Sequence, residues 1–237
     1  MLHVGSNNPK TKYTMTKGDE KSQLAEVQVE KDLGVILDEK LSFEKHILTK
    51  VAKANQTLGI IRRTFRYLDR EGFMLLYKAM VRPHVEYASP VWNPALVKHK
   101  RAIENVQRRA TKLVSDVKDH SYPERLRELG LPTLEYRRLR ADMVQLYRLT
   151  HGLEGIAADR LVDMNNQSES RRTRGHNLKI NKERTNTARY ANSFRHRVVN
   201  NWNSLPENVV NSPSLNSFKS RLNNTWKNHE FKFTNSF

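Results

Sequence analysis

The chain has 237 residues, 42 Lys plus Arg against 25 Asp plus Glu, a formal charge of +17 and a pI near 10.1. Its 37% hydrophobic content supports a folded core, and the low Gly and Pro counts exclude collagen-like and low-complexity classes. With no Cys at all, disulfides, thiolate nucleophiles and Cys-ligated metal sites are ruled out; no apolar run reaches the ~18 residues of a membrane helix.

The first forty residues contain short strand-like runs at 2–4, 12–15, 26–30 and 33–37, with Gly18-Asp19 marking a hairpin connection. Strands this short do not form a stable unit alone, so they read as the edge of something larger. From His46 the period changes. Ile47, Val51, Ala54, Leu58, Ile61 and Phe65 are spaced alternately by four and three, which predicts one amphipathic helix. Phe73, Leu76, Tyr77 and Met80 predict a shorter helix ending before Pro83, because proline disfavours helical geometry in the residue preceding it. Pro90 and Pro94 predict irregular chain, and Ile103, Val106, Ala110, Leu113 and Val117 mark a third helix.

A short helical segment is expected over 123–129. Thr133 reads as the N-cap of a longer helix carrying Leu134, Leu139, Met143, Leu146 and Tyr147, stopped at Gly152 and Gly155. Residues 163–187 are polar and basic and read as a linker. Two further stripes follow, Tyr190, Phe194, Val198, Trp202 and then Phe218, Leu222, Trp226, with a fraying tail after Asn228. The fold expected is mainly α: a short β remnant at 1–44, a helical bundle at 45–120, a helical extension at 121–162, the linker, and a smaller basic helical region at 188–237.

Charge is distributed unevenly: 9 basic against 8 acidic residues in 1–60, 20 against 14 in 61–170, and 13 against 3 in 171–237. Such an excess attracts polyanions, with nucleic acid the commonest because each neutralised phosphate releases counterions. Arginines lie beside aromatic residues at Arg62, Arg63, Arg66 and Tyr67, at Arg137, Arg138 and Arg140 around Tyr136, and at Arg189, Arg195 and Arg197 around Tyr190 and Phe194. The aromatics fall mostly on apolar stripes and read as core; the arginines carry the binding argument. No catalytic motif is present. The acidic pairs Asp19-Glu20 and Asp38-Glu39 read as turn chemistry, the nine histidines show no zinc spacing, and phosphate-cradling or nucleophile-elbow glycine motifs are absent. No metal or cofactor is expected.

The stretches LGVILDEKLSFEKHI (33–47), VAKANQTLGIIRRTFRYLD (51–69), LLYKAMVRPHVEYASPVWNP (75–94), IENVQRRATKLV (103–114) and YPERLRELGLPTLEYRRLRADM (122–143), followed by FRHRVVNNWNSLPENVV and SFKSRL, closely resemble the carboxy-terminal part of reverse transcriptases from jockey-like LINE retrotransposons. The resemblance covers nearly the whole chain, with the motifs in the family's order. It implies the edge of a polymerase palm in the first residues, primer-grip positions at Leu33, Gly34 and Val35, and a thumb from His46 to about Val117 that grips a template–primer duplex. The phosphate-contacting residues it suggests are Lys50, Lys53, Arg62, Arg63 and Arg66, joined by the basic residues Arg108, Arg109, Arg137, Arg138, Arg171, Arg172 and Arg174. The family's Y-x-D-D strand and its other metal-binding Asp lie upstream of Met1, so the chain as it stands is expected to bind RNA–DNA duplex without polymerising. Alternative expectations are a helical module that binds a protein partner or itself, or a decayed element fragment without selected function. No membrane partner is expected, and the location expected is intracellular, with no choice between nucleus and cytoplasm following from the sequence.

Overall fold

The computed structural model describes residues 1–5, 7–164 and 175–237. It is mainly helical, with two separate antiparallel strand pairs at the N-terminus. Strands β1 (Thr14–Lys17) and β2 (Glu20–Gln23) are joined at Gly18-Asp19, as the sequence predicts. Strands β3 (Val29–Asp32) and β4 (Val35–Asp38) form the second pair, with Asp32 opposite Val35. Leu33 and Gly34 are therefore the two central residues of a hairpin turn, with φ of +44° and +82°. Positive φ at both positions is what a type I′ turn requires, and its twist matches that of the flanking strands. The expectation of a strand over 33–37 is corrected at its start: only Val35 of the three primer-grip candidates lies in a strand, and it is buried.

Asp38 performs turn chemistry, as expected. Its carboxylate accepts the backbone N–H groups of Lys40, Ser42 and Phe43 and the Ser42 hydroxyl, which holds its pKa below the usual range despite partial burial. This aims the chain into α1 (Glu44–Thr64), whose Ile47, Ala54, Leu58 and Ile61 are buried. Phe65, placed by its spacing on the same stripe, lies just past the helix end and is exposed, because the backbone turns extended there.

The second helix differs from expectation. It runs α2 (Arg70–Leu76), a π-helical turn over Tyr77–Val81, and α3 (Arg82–Glu86), passing through Pro83. The Arg82 N–H reaches back five residues to the Tyr77 carbonyl. That wider turn makes room for a pyrrolidine ring that would clash with the carbonyl four residues earlier in a regular α-helix. It also rotates the stripe: Met80 is exposed, while Val81 and Val85 are buried in its place.

After α4 (Ser89–Trp92), α5 (Val97–Thr111) packs alongside α1, and α6 (Tyr122–Glu128) opens with a Ser121/Glu124 capping box. In α7 (Leu134–Thr150) the Thr133 hydroxyl accepts the Tyr136 N–H, confirming the expected cap. The helix stops at Gly152, φ +65°, where Leu153 N–H bonds to the Arg148 carbonyl and Gly152 N–H to that of Leu149. This is a Schellman ending, for which a residue without Cβ is the cheapest choice.

Two apolar cores divide the molecule. One gathers buried residues from Val35 to Leu134, the other from Tyr136 to Trp226, so α7 belongs to both. After α8 (Ala188–Ala191), which packs against α9 (Phe194–Arg197), the second core is closed by α9, α10 (Val199–Asn203), α11 (Glu207–Val210) and α12 (Leu215–Thr225). Part of the predicted linker packs into it. His176 and Ile180 are buried, and Ile180 exchanges hydrogen bonds with the Asn203 side chain in both directions. Residues 165–174 lie outside the described residues. The tail after Asn228 returns to α7 instead of fraying. Thr133 N–H donates to the Lys232 carbonyl, the Thr133 hydroxyl to that of Phe231, and Glu135 receives Ser236.

Candidate nucleic-acid interface

The basic residues expected to act together lie in distinct environments. Lys50 and Lys53 stand three apart on one flank of α1, which packs against α3. There they join two residues that linear spacing does not connect with them, Lys31 of β3 and His84 of α3. The Lys50 ammonium is pushed below its ordinary pKa by partial burial and by the positive charges of Lys31 and Lys53. His84 is pushed down by burial and by Lys53 and Lys50. Among the described residues, no carboxylate lies within ion-pair distance of Lys31, Lys50, Lys53 or His84. Three ammonium groups and one imidazole drawn from three elements therefore share a surface, and an anion would relieve the repulsion among the lysines and favour the charged form of His84.

The β3–β4 turn is tied to the same helical unit. Leu33 is 84% exposed at the turn, its carbonyl accepting the Tyr87 hydroxyl at 2.9 Å. Gly34 faces the Tyr87 ring, where an added Cβ would sit 3.3 Å from Cε1. Tyr87 follows α3 directly, so the turn and His84 are held by neighbouring parts of one segment.

Arg62 and Arg63 occupy the last turn of α1 and Arg66 lies beyond it, all exposed with no carboxylate in ion-pair range among the described residues. Their position also compensates the negative end of the helix dipole. Arg62 follows Asn55 by two turns on the same flank, and Asn55 accepts from Arg109 of α5 at 3.2 Å. Thus Arg62 belongs to the side of α1 that meets α5, away from Lys50 and Lys53. Arg108 is half-buried, its guanidinium 4.4 Å from the Tyr122 ring centre.

The remaining candidates are engaged inside the protein. Arg137 grips both oxygens of Glu86, one bond at 2.9 Å. Arg138, expected among the phosphate-contacting residues, is 2% exposed and donates through Nε to Asn93 at 3.1 Å, so its guanidinium does not lie on the open surface. Arg195 pairs with Glu183, and Arg197 with Asp142. Arg171, Arg172 and Arg174 lie outside the described residues.

Among the described residues no group of three or more His, Asp or Glu is arranged to hold a metal, and no helix is long and apolar enough to cross a membrane. Comparison with known proteins finds no match to a family model, to a curated protein or to a solved structure.

Sequence reasoning missed Lys31 and His84. Lys31 sits in an exposed strand and His84 beside a proline, neither in a recognisable pattern. Only the packing of β4 and α3 on α1, with β3 paired to β4, makes them neighbours of Lys50 and Lys53.

Proposed function

We propose that this protein binds nucleic-acid duplex through phosphate contacts, in the manner of a reverse-transcriptase thumb, and transfers no nucleotide by itself. The observation that carries this reading is the cluster of the Lys31, Lys50 and Lys53 ammonium groups with the His84 imidazole, which no carboxylate among the described residues pairs. Lysine ammonium groups contact phosphate as point charges and read no base, so the binding is independent of sequence. The motif resemblance over 33–143 supports a template–primer hybrid as the duplex, with the exposed turn at Leu33-Gly34 lying against one strand's backbone.

Fluorescence anisotropy with a labelled RNA–DNA hybrid, repeated across a salt series, tests the reading. Binding that weakens steeply with salt and falls at least tenfold in the double variant Lys50→Glu, Lys53→Glu is expected. Unchanged affinity in that variant, with its helical circular dichroism intact, would exclude the cluster as the binding surface.

A further inference from the structure

A second cationic feature lies apart from the α1 surface. Between α3 and α4 on one side and α7 on the other is a pocket of about 280 Å³, its polar lining supplied by Glu86, Ser89, Arg137, Arg138, Arg140 and Gln145. Its size matches the lower end of small-ligand sites. Three guanidinium groups face one carboxylate. Glu86 is further shared with Arg82 at 3.5 Å, so it is over-subscribed by cations.

The other acids near Arg138 are committed elsewhere. Glu104 accepts the Tyr122 hydroxyl and the Leu134 N–H, Asp142 accepts two bonds from Arg197, and Glu135 accepts Ser236. Among the described residues, Arg138 is left with an Nη1 that is buried and has no hydrogen-bond partner. An unpartnered buried guanidinium nitrogen is costly, and a native structure that keeps one invites a ligand as explanation. Positive charge is in excess at the rim as well. Arg140 lies below its ordinary pKa, mainly through burial and partly through Arg137, and Arg82 is lowered by burial and by the same neighbour. Pro90, Ala141 and Val144 complete the wall with apolar surface.

We propose that this pocket binds a phosphate-bearing ligand, the oxyanion lying between Arg137 and Arg140 with Arg138 behind it. Forked guanidinium donors match phosphate geometry, and several of them around one cavity favour a doubly charged phosphate over a single carboxylate. The phosphate belongs either to a free small ligand or to a terminal group of a nucleic-acid strand; the chemistry is shared. The pocket has no residue in common with the Lys31, Lys50, Lys53 and His84 cluster, so the two sites stand or fall separately.

The test is a thermal-shift titration of the intact chain with inorganic phosphate and with a 5′-mononucleotide, against sodium chloride at equal ionic strength. Wild type is expected to show a saturable rise in Tm beyond the chloride control. In Arg140→Gln the half-saturating phosphate concentration should rise about tenfold, as expected for one lost charge-assisted contact. Ala141→Leu fills the pocket without touching a charge and should abolish the response, which covers the case in which Arg140→Gln unfolds. Lys50→Glu, Lys53→Glu should respond like wild type. Competition with the labelled hybrid then separates the sources: displacement by phosphate at constant ionic strength assigns a strand terminus, coexistence assigns a free ligand, and both support the pocket. A wild-type response no larger than that of chloride, or an unaltered response in Ala141→Leu, overturns the proposal.

Discussion

The Tyr87 hydroxyl donates a 2.9 Å hydrogen bond to the carbonyl of Leu33, fastening the β3–β4 turn to the segment that ends α3. That single contact joins residues 54 positions apart and ties the turn that follows Lys31 to the segment that follows His84. Tyr87→Phe should lower stability by about 1 kcal/mol, the net worth of one hydrogen bond. Gly34→Ala meets two obstacles, a φ of +82° and a Cβ position 3.3 Å from the Tyr87 ring, and should cost more than about 1 kcal/mol. Urea denaturation of both variants measures this; a Gly34→Ala protein as stable as wild type would contradict the turn geometry.

Stability should fall in acid in part through His46. The ring is buried against Trp92, with centroids 5.3 Å apart, and Nδ1 accepts the Ile36 N–H at 3.1 Å, so the native state holds a neutral imidazole. Burial, with a smaller contribution from Lys50, lowers its pKa from 6.5 to about 4. The unfolded chain therefore binds the proton first as pH drops. The stabilisation is complete above pH 6.5 and is lost between there and about pH 4, by up to ~3 kcal/mol. Urea midpoints across that range should flatten partly in His46→Asn, with the remaining slope due to other histidines held low by burial, such as His176 and His229.

Asp142 and Arg197 form a bidentate pair with both bonds at 2.8 Å, and Arg197 also donates to the carbonyls of Pro90 and Asn192. The pair joins α4, α7 and α9, and Asp142 is almost wholly buried. Removing only the carboxylate leaves a guanidinium stranded in low dielectric, so Asp142→Ala should destabilise by about 3–5 kcal/mol. Differential scanning calorimetry would register a loss of Tm well beyond that of an exposed pair such as Lys98–Glu44, whose removal should cost under about 1 kcal/mol.

Salt dependence separates the surface cations from the internal ones. Each lysine that neutralises a duplex phosphate contributes about 0.9 to the slope of log K against log salt. Lys50→Ala and Lys53→Ala should each reduce the slope by about that amount. On a hybrid without terminal phosphates, Arg137→Ala should leave it nearly unchanged, because its guanidinium is engaged by Glu86. Equal slopes for all three variants in anisotropy titrations would refute this division.

Thr133 does two tasks, capping α7 through Tyr136 and anchoring the C-terminal tail through Phe231. It is fully buried, so Thr133→Val keeps the shape while losing both bonds. A loss of about 2 kcal/mol is expected. Hydrogen exchange should accelerate in the tail, where the Phe231 carbonyl loses its side-chain anchor while the Thr133 N–H still holds Lys232; protection unchanged from wild type would show that the tail is held by other contacts.

Local chemistry made much of the fold legible. The Gly18-Asp19 hairpin, the α1 stripe, the Thr133 cap and the Gly152 stop follow from side-chain periodicity and backbone preference, which act within a few residues. The mainly helical class and the basic surface were readable for the same reason. Tertiary structure alone decided that Pro83 sits inside a helix, because a π-helical turn accommodates its ring. It also decided which cations remain free. Arg137 and Arg138 look like Lys50 and Lys53 in sequence, yet Glu86 and Asn93, 51 and 45 positions away, claim the first two. Lys31 and His84 gain significance only because α3 and the β3–β4 pair, through β4, pack on α1. The type and period of side chains set local conformation, whereas the surviving field of a charge depends on which distant groups the fold brings within a few ångströms of it.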